Sequence, residues 1–463
     1  MYSKLLSLLC CLAITLSAWG KEPKYVFLFI GDGMGVGHVM AAQNYNRTVL
    51  NNEKPLTMLQ FPVVSLATTY SASHPITDSA ASGTAISTGT KTRNHMLGMD
   101  SDTISLFSVA KQLKEHGYGV AIASSVAIDD ATPAAFYTHV DNRKKYYEIG
   151  KDLAASGYDM FAGAALRGTK DKNGKENDLI PTLEKSGYKI IHSENEYERN
   201  KGEKKILLLN KGNSSGHIGY TIDSLKEEHL TLPFITKACI DHMQRVSPKK
   251  FFMMIEGGNI DWAAHSNDAG TVVKEILNFD QSIKIAYDFY LKHPDETLII
   301  VTADHNTGGM SVGVKDAGTK TNYKVFDYQK MSLSAFSNYC DKLLMSGRTI
   351  EWDEMKQILK DNFGLYGPIS LDEKQDKAIQ DKFIKTFKQH NGAQEETLYQ
   401  TFNEFVQQIF KTLDFKANVG WTNNYHCGDF VPVFVVGIGH EKFSPLNDNT
   451  DIANKIRKIT DID

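Results

Sequence analysis

The sequence predicts an α/β fold, a central, mostly parallel sheet flanked by helices on both faces, with a partly helical insertion. Three observations lead there. Short apolar runs rich in β-branched and aromatic residues recur along the chain, as in strands covered on both faces. Amphipathic stretches lie between them, and alternation of this kind builds strand–helix–strand units. Polar motifs rich in glycine follow several of the apolar runs, and in such sheets ligands bind beyond the carboxyl ends of strands.

The elements follow in chain order. Lys4 precedes an apolar stretch from Leu5 to Leu16 that ends in Ala18-Trp19-Gly20. That pattern is a secretory signal peptide over residues 1–20, too short to span a membrane and cut before Lys21. A lipidated leader is disfavoured, because Leu8-Leu9-Cys10 lacks a small residue before the cysteine. The mature chain, 21–463, is expected to be exported to a periplasmic or extracellular compartment. It keeps Cys239, Cys340 and Cys427, so at most one disulfide can form and no paired-cysteine metal site exists.

Tyr25 to Ile30 opens the sheet, and Gly31 ends the strand. Similar runs are Val120 to Ala123, Phe251 to Ile255, Leu298 to Thr302 and Val431 to Val436. Helical spacing appears over Ser105 to His116, Arg143 to Ala155 and Thr271 to Leu291. From about 312 to 424 no core strand is apparent, while Met355 to Phe363 and Glu395 to Leu413 look helical. This interval reads as an insertion into one domain over residues 21–463, and Lys374 to Lys388 as its exposed helical face.

Charge narrows the partners. With 51 basic and 55 acidic residues among 463, no broad positive field favours nucleic acid or anionic lipid. After the leader no run of 18 apolar residues suggests a membrane span.

Six motifs carry potential chemistry. Gly31-Asp32-Gly33-Met34-Gly35 follows the first strand but lacks dinucleotide spacing. Asp32 could hold a cation at the strand end, although alone it reads equally well as a turn residue. In Thr77-Asp78-Ser79-Ala80-Ala81-Ser82-Gly83 a cap leads into a helix of small residues, whose free N–H groups would favour phosphate beside Ser79. No histidine adjoins Ser79, so its alkoxide would need a metal ion instead of a base. Arg143, thirteen residues after Asp130 in Asp130-Ala131-Thr132-Pro133, could clamp two phosphate oxygens.

Glu256 ends the Phe251 strand, and Asp261 and His265 follow at helical spacing. The latter two would stack on one face and share a Zn²⁺, while Glu256 is a hard oxygen donor better suited to Mg²⁺. Asp304 and His305 are adjacent after Thr302; both reach one metal only if the strand has broken into a loop. His426 precedes the last strand and carries little weight alone.

Together these motifs resemble the alkaline phosphatase family, from about Tyr25 to the C-terminus. The resemblance implies Ser79 as nucleophile, one zinc on Asp261, His265 and His426, and another on Asp32, Asp304 and His305. It implies magnesium shared by Asp32, Thr132 and Glu256, giving two Zn ions and one Mg ion per subunit. Arg143 would bind phosphate, with Asp78 orienting it. The substrates implied are phosphate monoesters, cleaved through a phosphoserine with release of inorganic phosphate, and the family suggests a homodimer. Asp130 is shared with the enteric type, whereas Trp262 replaces that type's Lys, which leaves Asp130 without a neighbouring ammonium and free to accept from water on the third metal. A phosphodiesterase of the same superfamily would keep the metal ligands but not need Arg143. A zinc- or phosphate-binding protein would not need Ser79.

Overall fold

Strand β1 (Tyr25–Ile30) is buried at all six positions, which a run of Tyr, Val, Phe, Leu, Phe and Ile allows only between two covered faces. The computed structural model describes residues 22–211, 216–223, 229–314, 317–397 and 401–462; the signal peptide read over residues 1–20 lies outside them. Nine further strands join β1: β2 (Val63–Thr68), β3 (Gly119–Ser124), β4 (Met160–Gly163), β5 (Tyr188–Ile191), β6 (Lys205–Leu209), β7 (Phe251–Glu256), β8 (Thr297–Thr302), β9 (Val431–Gly437) and β10 (Leu446–Asp448). Their order in space is β10-β2-β9-β8-β1-β7-β3-β4-β6-β5. Within it β9 alone runs against its neighbours. The sheet is therefore mostly parallel, as the alternating pattern predicts.

Helices α1 (Val36–Thr48), α2 (Ser79–Thr88), α3 (Tyr146–Ala155), α4 (Leu232–Val246), α5 (Asn259–His265) and α6 (Ala269–Tyr290) matter most to the site. Helix α6 packs on α1, α4 and α5. Asp268 starts it by accepting from the Thr271 amide, as Thr231 starts α4 through the Phe234 amide. Each cap satisfies an amide that a helix start leaves unpaired.

Several helix starts differ from the sequence reading. The Ser105 segment becomes helical only at Val109, behind a Ser108 cap, and the Arg143 segment only at Tyr146, so Arg143 sits in the preceding loop. Among the described residues of 312–424 no strand joins the ten-stranded sheet. Their helices, including Leu333–Met345, Trp352–Phe363, Glu373–Phe383 and Glu404–Ala417, gather around aromatic rings: Phe336 lies 4.8 Å from Phe363, which lies 5.5 Å from Phe410. The helix expected from Glu395 begins only at Glu404. Residues Gln394–Glu396 pair instead with Thr401–Asn403 as a small hairpin, and Asn403 then caps the helix. Among the described residues no helix is long and apolar enough to cross a membrane, and Cys239, Cys340 and Cys427 are unbridged.

Phe27 anchors the middle of this core, edge-on to Phe251 at 5.6 Å and to Phe289 at 5.5 Å. Phe27→Ala is expected to cost about 3–5 kcal/mol in equilibrium denaturation of the metal-loaded protein. A loss below about 1 kcal/mol would show that this strand does not organise the core.

Candidate active site

Strand register brings the first groups together. Ile30 pairs with Glu256 on one side and Thr302 on the other, and Ser124 pairs with Glu256. The chain ends of β1, β7, β8 and β3 thus form one row. Just past it, the Gly31 amide donates to the Thr302 carbonyl at 2.9 Å. Gly33 then turns with φ +71°, and a Cβ there would meet Asp261 Oδ1 and Thr307 Oγ1 at 2.8 Å, so only glycine fits. The turn holds Asp32 over the row. Asp304 Oδ1 accepts from the Gly33 amide at 3.1 Å and from the His305 amide at 2.9 Å. Because β8 has ended at Thr302, Asp304 and His305 lie on a loop and reach the same point. His305 Nε2 lies 3.3 Å from Asp304 Oδ2 and 3.6 Å from Asp32 Oδ1.

A second group forms beside α5. Asp261 Oδ1 lies 3.4 Å from His265 Nε2 and 3.9 Å from His426 Nε2, and the two imidazole nitrogens are 3.2 Å apart. Each ring is fixed from behind: His265 Nδ1 donates to the Asn424 carbonyl at 2.7 Å and His426 Nδ1 to the Thr77 carbonyl at 2.9 Å. A carbonyl accepts only, so Nδ1 carries the proton and the facing Nε2 atoms of the neutral rings are lone pairs. Two lone pairs cannot bond to each other; a cation between them resolves the conflict. His305 is oriented similarly, since Thr307 Oγ1 donates to Asp261 and lies 3.2 Å from His305 Nδ1.

The third group lies between Asp32, Glu256 and Thr132. Thr132 Oγ1 donates to Asp32 Oδ2 at 3.2 Å, and Ser124 Oγ donates to Glu256 Oε2. Burial first, and then the neighbouring carboxylates, push Asp32 upward, and burial does the same to Glu256 and Asp304. Asp261 goes the other way: its burial is outweighed by His265, His426 and His305, which hold it below the usual range. Burial, then the charge of His426, pulls His305 downward, while burial pulls His426 downward against the opposing charge of Asp261, with His265 and Arg143 adding to the fall. Asp32 Oδ1 and Asp304 Oδ2 are buried without any hydrogen-bond partner. Orphaned carboxylate oxygens and opposed imidazole lone pairs are a donor set that fits metal cations and little else.

Ser79, Arg143 and Trp262 surround these clusters. Ser79 is the first residue of α2, behind the Asp78 cap, and its Oγ lies 3.2 Å from His305 Nε2. This histidine is 226 positions away in the chain, so no local pattern could expose it. Ser82 Oγ donates to the Asp304 carbonyl at 2.7 Å, tying α2 to the metal-facing loop. The small residues of α2 also serve packing, since a Cβ on Gly83 would lie 3.1 Å from Ala135 Cβ. Arg143 reaches Asp78 Oδ2 at 3.4 Å and Asp130 Oδ1 at 3.1 Å. Trp262 is buried on α5 with the His217 ring 5.1 Å away. All thirteen residues singled out in the sequence therefore meet in one region.

A family model described as alkaline phosphatase matches residues 23–159 and 157–462. The chain belongs to the alkaline phosphatase family. Alkaline phosphatase 4 of Bacillus subtilis (strain 168) is 30% identical over 448 residues, covering 95% of this chain and 89% of that protein. The cold-active alkaline phosphatase of a psychrophilic Shewanella sp. is 25% identical, with TM-score 0.77 over 94% of this chain and 99% of that one. Thermus thermophilus alkaline phosphatase shares the fold at 22% identity, with TM-score 0.78 over 96% of this chain and 92% of that one.

Position 262 brings Asp130 no ammonium, as expected, but the chain supplies a cation from elsewhere. Asp130 is not without a neighbouring cation, because Arg167 Nη2 lies 3.3 Å from its Oδ2 while Arg143 takes Oδ1. Burial of Asp130 is offset by Arg167 and then Arg143, which hold it below its usual value. Arg167 follows β4, a four-residue strand too short to stand out in the sequence, so its place at a strand end was hidden. Ser124 and Thr307, which orient Glu256 and Asp261, were missed because a lone hydroxyl carries no pattern.

In unfolded chains these carboxylates ionise near pH 4, whereas in the metal-free fold Asp32, Asp304 and Glu256 hold their protons longer, Glu256 up to about 8. A raised folded value stabilises the metal-free fold at acidic pH, and that contribution disappears as pH rises through it. Bound cations remove the penalty. The Tm gap between metal-loaded and chelated protein is therefore expected to widen from pH 5.5 to pH 8.5. A constant or shrinking gap would contradict the charge arrangement.

Proposed function

We propose that this chain hydrolyses phosphate monoesters by transferring the phosphoryl group to Ser79 and then to water. Its family is one of metal-dependent phosphomonoesterases. The observation that carries the finer reading is Ser79 Oγ, buried at a helix start, 3.2 Å from His305 and flanked by two metal-fitting clusters. Asp261, His265 and His426 would hold one zinc, and Asp32, Asp304 and His305 a second. Asp32, Thr132 and Glu256, all oxygen donors, would hold magnesium. When bound, these cations supply positive charge to the Ser79 oxygen, the departing oxygen and the phosphoryl group.

The chain's own groups do the rest. Ser79 Oγ forms a bond to phosphorus in line with the ester oxygen, whose bond breaks and which departs as the alcohol. A phosphoserine remains. Water then attacks from the vacated side, the Ser79 Oγ–P bond breaks, and two inversions give net retention. The start of α2 directs amides toward negative charge. Arg143, gripped by Asp78 and Asp130, is a planar cation held in place for the nonbridging oxygens, so it loses little entropy when phosphate binds. Burial opposes Asp78 ionisation, but the contacts to His95 and Arg143 hold its carboxyl well below the usual range, so the grip persists at working pH. Export rests on the leader at residues 1–20, and a homodimer on the family resemblance.

Two measurements test this reading. Incubation with radiolabelled phosphate at acidic pH should label the Ser79 peptide, and Ser79→Ala should abolish both label and turnover; persistent labelling would move the nucleophile elsewhere. Arg143→Ala should lower kcat/KM on p-nitrophenyl phosphate about tenfold to hundredfold more than on the bis-ester, since only the monoester offers a third free oxygen. Equal losses would remove Arg143 as the source of monoester preference.

A further inference from the structure

Arg167 is held more elaborately than a surface arginine needs to be. Its own amide and that of Gly168 donate to the buried Asp129 carboxylate at 3.0 and 2.8 Å. Its guanidinium lies 5.4 Å from the Tyr146 ring centre and 5.5 Å from that of Trp262, and Nη1 donates to the Tyr146 hydroxyl at 3.0 Å. Gly216, at φ +81°, leaves room for it, since a Cβ there would stand 2.7 Å from Nη2. The His217 ring packs on Trp262 at 5.1 Å and in turn meets Tyr220 at 4.7 Å. Rings, a cap and a glycine fix one cation against one oxygen of Asp130.

The charge count gives this arrangement a purpose. Asp130 gives Oδ1 to Arg143 and Oδ2 to Arg167, while Asp78 also pairs with Arg143. These two carboxylates and two guanidiniums cancel, with the buried Asp129 carboxylate behind Arg167 and His95 beside Asp78 standing outside that sum. Without Arg167 the same corner would be one unit more negative beside the site of a phosphate dianion, and Asp130 would lose the guanidinium on its Oδ2.

We propose that Arg167 is a positioning residue for phosphate, which occupies Asp130 so that Arg143 stays available to the phosphoryl oxygens and supplies the positive charge that Trp262 cannot. The cation comes from the loop after β4, and Trp262 of α5 is a surface against which it packs. The proposal rests on the phosphomonoesterase reading for its role in turnover, but its effect on phosphate binding can be read separately.

The test is equilibrium binding of inorganic phosphate to metal-loaded protein, by calorimetry, beside turnover of p-nitrophenyl phosphate. Arg167→Met should weaken phosphate binding about fivefold to tenfold, and Arg167→Gln, which keeps an amide for Tyr146, should do likewise if the Met variant fails to fold. The same change made in an Arg143→Ala background should have less than half that effect, because the two act through Asp130. Adding Trp262→Lys to Arg167→Met should recover most of the loss, which a purely structural role for Arg167 would not allow. Binding within twofold of the parent in Arg167→Met, or an undiminished effect without Arg143, would overturn the proposal. If wild-type protein binds phosphate but does not turn over the monoester, the functional reading falls while the binding comparison still decides the role of Arg167.

Discussion

Four carboxylates, Asp32, Glu256, Asp261 and Asp304, are buried around one small volume, and like charges removed from water repel each other far more strongly than at a surface. The cation positions follow from this constraint. A fold can maintain such a cluster only if its backbone is rigid and its charges are neutralised by something other than water. The parallel register of β1, β7 and β8 supplies the rigidity, because each strand is buried along its length and the three end in a common row. Neutralisation falls to protons in the metal-free protein and to cations in the loaded one.

The supporting contacts share one logic. Backbone carbonyls hold the outer nitrogens of His265 and His426, and Thr307 joins His305 to Asp261. Each fixes a proton on the side away from the centre and leaves a lone pair facing it. At the phosphate corner the polarity is reversed. There Asp78 and Asp130 face outward toward Arg143 and Arg167, so positive charge lies near Ser79 from both the protein and the cations it would hold. Ser79 stands at the junction, on a helix start tied through Ser82 to the Asp304 loop.

How much of this could be read from the sequence depended on burial. The strands that carry the site are buried on both faces, and their uninterrupted apolar runs mark them clearly. The strands β2, β4, β5, β6 and β10 were not seen: β2 is half exposed, and β4 and β5 have four residues each. The same difference decided the site. Asp32, Glu256 and Asp304 were visible because each follows a recognised strand. Arg167 follows an unrecognised one, so the reading that Asp130 has no ammonium from position 262 did not reveal the guanidinium beside it. The pairing of Ser79 with His305, 226 positions apart, arises from long-range packing, to which local spacing is blind.

The central claim is that the carboxylate and imidazole cluster exists to hold cations, with Asp32 facing two of the three positions. Metal analysis of purified protein tests it directly, by comparing the wild type with Asp32→Ala. The account predicts about three bound cations per chain in the wild type, two of them zinc, and retention in the variant of only the zinc held by Asp261, His265 and His426. A variant with the same metal content as the wild type would contradict it.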